Sequence, residues 1–144
     1  MDSELAAAAR NAWTRLESWC KQHHPRLLGQ LNPGASDQEI AAAERSIGQV
    51  LPDDVRESLE IHNGTSSLFV FNDALLAAAG IAEEWASWRE ADGSELFRHR
   101  WASEPPDAIT LGYANPGWVP LAADRNGNYL GIDLAPDRPE RSGR

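Results

Sequence analysis

Cysteine is almost missing from this chain of 144 residues, since Cys20 stands alone and no disulfide can form within it. Its apolar surroundings predict a buried thiol. No apolar run approaches the ~18 residues that a membrane-spanning helix requires. The N-terminal stretch "MDSELAAAARNAW" has early acids and no basic segment, which excludes a signal peptide. A cytoplasmic location with no membrane partner is therefore expected. Positive charge is also short: 13 Lys and Arg stand against 22 Asp and Glu, a net charge of −9 spread over both halves. Without a basic stripe, direct binding to a nucleic acid is not expected. An acidic surface serves solubility, and it also speeds encounter with a basic protein.

What is present fits one globular domain. The length suffices to bury a core without staples, and 42% hydrophobic with 24% charged residues is ordinary for such a domain. Residues 3–22 read as an amphipathic helix, with Leu5, Ala9, Ala12, Leu16, Trp19 and Cys20 at three- and four-residue steps, ended by Pro25. Ser36-Asp37-Gln38-Glu39 is a capping box for a second helix, with Ile40, Ala43 and Ile47 on its inner face and Gly48 closing it. Pro52, Asp53 and Asp54 open a third helix that stops at Asn63-Gly64. "SSLFVF" reads as a strand, residues 77–91 as a fourth helix carrying Ile81, Trp85 and Trp88, and residues 92–110 as mostly loop. The tail "PDRPERSGR" is polar.

"DRNGNYLGIDL", Asp124 to Leu134, has two readings. As a calcium loop it places acids and asparagines at the first three ligand positions. However, Tyr129 stands where glycine is required, and Ala135 where a bidentate carboxylate should be. As a hairpin with Asn126-Gly127 in a two-residue turn, Ala123 opposes Leu130, Leu121 opposes Ile132 and Val119 opposes Leu134, six apolar residues on one face. The hairpin is the better reading. Asp124, Tyr129 and Asp133 fall on its other face, and Trp118 starts that face.

No constellation for catalysis emerges. Cys20 with His23, His24, His62 and His99 lacks the ligand spacing of a zinc site. There is no nucleophile elbow and no phosphate-binding glycine loop. Glu83 and Glu84 are adjacent on a helix and point about 100° apart, which suits a solvated face better than an acid/base pair. No enzyme, cofactor or metal is expected. His62 is expected at a helix end, favouring its negative pole. Of six tryptophans, Trp13, Trp19, Trp85 and Trp88 have core-compatible spacing, whereas Trp118 could anchor a partner.

Two stretches carry a resemblance. "I-G-x-x-L-P-x-D…L…H-N-G" over Ile47–Gly64 and "W-V-P-L-A-x-D-x-x-G-N-Y-L-G-I-D-L-x-P" over Trp118–Pro136 resemble the SUKH superfamily, which includes Smi/Knr-type cell-wall-assembly regulators and bacterial toxin-immunity proteins. The resemblance spans roughly residues 10–136. It implies a single α+β domain, residues 1–136, with a mainly antiparallel curved sheet flanked by N-terminal and central helices. Residues 137–144 would then begin where such proteins continue into a last strand and helix, and a missing strand would leave an unpaired sheet edge. The resemblance also implies protein binding without catalysis. With the acidic charge, the expected role is a bacterial immunity protein that neutralises a basic toxin, such as a nuclease. The alternative is an intracellular scaffold or regulator of the cell-wall type. Trp118, Asp124, Tyr129 and Asp133 are the expected partner contacts, with Glu83 and Glu84 behind them.

Overall fold

The computed structural model describes residues 3–66, 73–92, 116–124 and 129–134. The expected "SSLFVF" strand, the loop after residue 92, the Asn126-Gly127 turn and the polar tail lie outside these, apart from Ser66. The chain runs α1 (Glu4–His23), a short 3-10 helix (Pro25–Gln30), α2 (Asp37–Ile47), α3 (Asp53–Ile61), β1 (Ala74–Leu75), α4 (Ala78–Asp92), β2 (Trp118–Ala123) and β3 (Tyr129–Asp133). The strands form an antiparallel sheet of order β1-β2-β3, so the fold is α+β as expected.

Local chemistry sets the helix ends. Ser3 Oγ accepts from the Ala6 N–H and starts α1. At α2 both halves of the capping box are made, Glu39 N–H to Ser36 Oγ and Ser36 N–H to Glu39 Oε1, each at 3.1 Å. Gly48 then ends α2 in the left-handed region at φ 69, where a Cβ would be strained. After α3, Asn63 Oδ1 takes the Ala78 N–H at 2.7 Å, so the start of α4 is capped from another part of the chain.

α1 packs on α3, and α4 packs on α2 and β2. Between them lies a core of Ile40, Ala43, Ile47, Leu51, Leu59, Ala78, Ile81 and Val119, joined by half-buried Trp85, Leu121, Ile132 and Leu134. Fully burying a side chain such as Ile40, Leu51, Ile81 or Val119 contributes roughly 1.5–3 kcal/mol.

Two expectations need correction here. On α1 the buried residues are Ala6, Trp13 and Cys20, whereas Leu5 and Trp19 are each 52% exposed. The covered stripe is narrow because α1 is met mainly by α3 and, near its end, by the 3-10 helix among the described elements. Trp13 Nε1–H donates to Ser58 Oγ at 2.8 Å and Arg10 pairs with Glu57 at 2.8 Å where α1 meets α3. In the hairpin, Val119 opposes Ile132, Trp118 opposes Asp133, Ala122 opposes Leu130 and Ala123 opposes Tyr129. The register shifts between Pro120 and Ala122. A bulge there adds one residue to β2, and it falls beside a proline that has no N–H for the ladder. The shift brings Ala122 opposite Leu130; Ala122 is buried, whereas Leu130, read from the sequence as core, is 61% exposed.

Candidate functional site

The hairpin base is held to the helices by one carbonyl. Pro116 O accepts from Trp85 Nε1–H on α4 at 2.9 Å and from Gln49 Nε2 just after α2 at 2.5 Å. Leu134 N–H returns to Gly117 O at 2.7 Å. This fixes β2 and β3 beside α4, with one turn of α4 beyond Trp85 overlooking β3.

Side chains alternate along β3, so Tyr129, Gly131 and Asp133 share a face. Asp133 opposes Trp118 across the ladder. Trp88 comes from α4 and meets Tyr129 edge to face, with ring centroids 5.3 Å apart and planes at 84°. Glu84, one turn earlier on the same helix face, accepts a hydrogen bond from the Tyr129 hydroxyl at 2.7 Å. Between them opens a cleft of about 300 Å³ lined by Trp88, Trp118, Tyr129, Gly131, Ile132 and Asp133. Tyr129 is 40% exposed, so its ring is presented to the outside while its hydroxyl is held.

Of the six residues nominated from the sequence, Trp118, Tyr129 and Asp133 line this cleft and Glu84 orients one of its walls. Glu83 is exposed on α4 and does not line it. Asp124 is half-buried just beyond β2, also outside the lining. Trp88 was missed, having been assigned to packing. The available signal was its spacing of four from Glu84, which places an aromatic and an acid on one helix face.

A larger cavity of about 410 Å³ lies where α1, α3, β1 and α4 meet, lined mostly by small, aliphatic or aromatic residues such as Ala12, Trp13, Val55 and Leu76, with Ser58, His62 and Asp54, whose carboxylate takes the Val55 N–H. Its polar groups are occupied with the fold. Trp13 binds Ser58, and His62 bonds through Nδ1 to Asn32 O at 2.7 Å and through Nε2 to the Glu17 carboxylate. His62 is therefore structural, as the sequence suggested, but by bridging α1 to the loop before α2 and not through a helix pole. The cleft beside α4 is the better candidate for contact with another molecule.

An α+β domain with three helices bearing its core, a short antiparallel sheet and an aromatic cleft between α4 and the hairpin is the class of protein defined by this geometry. The chain belongs to the SMI1/KNR4 family (SUKH-1), whose model matches residues 34–143. It is 35% identical to the cell wall biosynthesis/cell cycle regulator smi1 of Schizosaccharomyces pombe over 93% of this chain and 30% of that protein. It is 28% identical to a glucan synthesis regulatory protein of Neurospora crassa, over 88% of this chain and 31% of the relative. It is 27% identical to the cell wall assembly regulator SMI1 of Saccharomyces cerevisiae, over 87% and 32%. The chain thus spans about a third of the length of these relatives.

These relatives overturn the bacterial immunity reading and, with it, the basic toxin or nuclease as partner: they are fungal regulators. The physical reason for the error is visible in the fold. Much of the Ile47–Gly64 motif that carried the resemblance is scaffold, with Ile47, Leu51 and Leu59 in the core and His62 and Asn63 in internal hydrogen bonds. Such residues specify the fold and carry no information about what binds to it. Net acidity favours encounter with basic groups in general and does not single out a toxin.

Among the described residues, no helix is long and apolar enough to cross a membrane.

Proposed function

We propose that this chain is a non-catalytic protein-binding domain of a cytoplasmic regulator of wall or glucan synthesis, and that the cleft between α4 and the hairpin is its partner surface. The observation that carries this reading is the cleft itself. Trp88, Trp118 and Tyr129 converge on it, and tryptophan and tyrosine are the residues that most often dominate binding energy at interfaces. Trp118, Asp124, Tyr129 and Asp133 remain the proposed contacts, joined now by Trp88, with Glu84 as an orienting group and Glu83 at the periphery. The regulatory names of the relatives support a role in binding over one in catalysis.

The test is a graft. The matching region of the fission-yeast relative is replaced by this chain, either unaltered or with Trp88→Ala and Trp118→Ala together. Wall integrity is then scored in cells lacking the native gene product. The unaltered graft is expected to restore growth under wall stress and the double variant to fail, with both proteins present at equal levels. Equal rescue by the two would remove the cleft from the function.

A further inference from the structure

We infer that the cleft takes a cationic side chain, arginine or lysine, from an extended basic segment of a partner protein; this rests on reading the cleft as the partner surface. Three kinds of observation agree on the occupant. The walls are aromatic, and the face of a tryptophan or tyrosine ring attracts a cation within about 6 Å of its centroid, arginine more often than lysine. The edge-to-face contact of Trp88 on Tyr129 sets two rings nearly perpendicular, at 84°, so the cleft has walls in two orientations. The polar groups at this surface are carboxylates: Asp133 in the lining and Glu84 on the Tyr129 hydroxyl. None of the described lining residues is basic. Arg89, Tyr129 and Asp133 each make a further interaction of their own, and a carboxylate, with about four lone-pair sites, accepts more than one donor. Around the cleft, a chain of net charge −9 provides a field that draws in a basic segment and repels an acidic one.

Size narrows the occupant further. A volume of about 300 Å³ is at the small end of ligand pockets and accommodates a side chain or two, not a helix. A long flexible side chain would lay its methylenes along Ile132 and the indoles and bring its charge to the carboxylates. The rings supply contact area and the acids select the sign of the guest.

The experiment uses the whole chain and a short labelled peptide alternating arginine and serine, followed by anisotropy and by tryptophan emission. Matched peptides carry glutamine or glutamate in place of arginine, and a fourth is proline-rich and uncharged. Binding of the arginine peptide is expected, with loss of affinity of about tenfold in Trp88→Ala and in Trp118→Ala. Trp88→Phe keeps a ring and is expected to retain most of the affinity. Glu84→Gln should cost roughly threefold, as one charge-assisted contact is weakened. Trp19→Ala on the distant α1 is expected to change nothing. Arginine-peptide binding that ignores Trp88 and Trp118 would show attraction by bulk charge only and overturn the inference. So would preference of the cleft for the glutamine or proline-rich peptide, or no peptide binding at all. In those last cases a cleft-dependent graft would leave the proposed function standing, whereas a cleft-independent graft would end both.

Discussion

His62 and Glu60, two residues apart at the end of α3, illustrate how differently single side chains weigh on this fold. The His62 ring is held on both nitrogens, by Asn32 O and by the Glu17 carboxylate, and its ring lies 4.8 Å from Trp13 at 62°. Truncation removes the bridge from α1 to the loop before α2 and leaves the carbonyl of half-buried Asn32 short of a donor. His62→Ala is expected to lower unfolding stability by about 2–3 kcal/mol in a denaturant titration. Glu60 is exposed, and partial burial, with Glu57 and Asp37 nearby, raises its pKa. A carboxyl that holds its proton more tightly when folded favours the native state in acid, and that contribution is lost as pH rises through the folded value. Glu60→Gln is therefore expected to stabilise the domain at neutral pH by a few tenths of a kcal/mol, about the scale of exposed charge effects. The gain should vanish below the ordinary glutamate range, as a pH series of melting curves would show. The His62 effect is not legible in the sequence, since its partners are 30 and 45 residues away, whereas Glu57, three residues before Glu60 on the same helix, is.

At the scale of elements, what depends on neighbours in sequence was readable. The capping box at Ser36, the left-handed stop at Gly48 and the spans of all four helices were expected from a few residues each and are found. What depends on a second element was not. On α1, the apolar and alanine-rich positions extend over more than one face, and only packing on α3 and the 3-10 helix selects Ala6, Trp13 and Cys20. In the hairpin, strict alternation predicted one register, and the shift beside Pro120 produced another. The fold departs from the sequence-derived pairing at Leu130 and agrees with it at Val119. Both Val119 and Leu130 are core in the sequence-derived pairing, whereas Val119 is buried and Leu130 exposed in the fold. Leu130→Lys is expected to change stability by no more than about 0.5 kcal/mol, while Val119→Ala should cost about 2 kcal/mol through lost burial and a residual cavity. Chemical denaturation of the two variants checks that Val119 is core and Leu130 is not. The same bulge bears on the site, because it leaves Trp118 facing Asp133 at the cleft instead of Pro120 facing it.

For the whole molecule, two properties act on binding through different rate constants. The net charge of −9 belongs to the entire surface and works at a distance. It should raise the association rate of the arginine–serine peptide at low salt and lose that effect once the Debye length falls to about 3 Å near 1 M salt. The aromatic cleft works only on contact, so its contribution should appear in dissociation. Trp88→Ala is therefore expected to raise the dissociation rate about tenfold with little change in association. Added salt should do mainly the reverse. Stopped-flow measurements at two ionic strengths with both proteins would separate the contributions. The sequence displays the charge openly and the cleft only in part: Trp118, Tyr129 and Asp133 share one hairpin face, whereas Trp88 lies on another element and joins them only when α4 settles on the hairpin. A variant in which salt and Trp88→Ala acted on the same rate constant would mean that long-range attraction and ring contact are one step, with the cleft already engaged in the encounter complex.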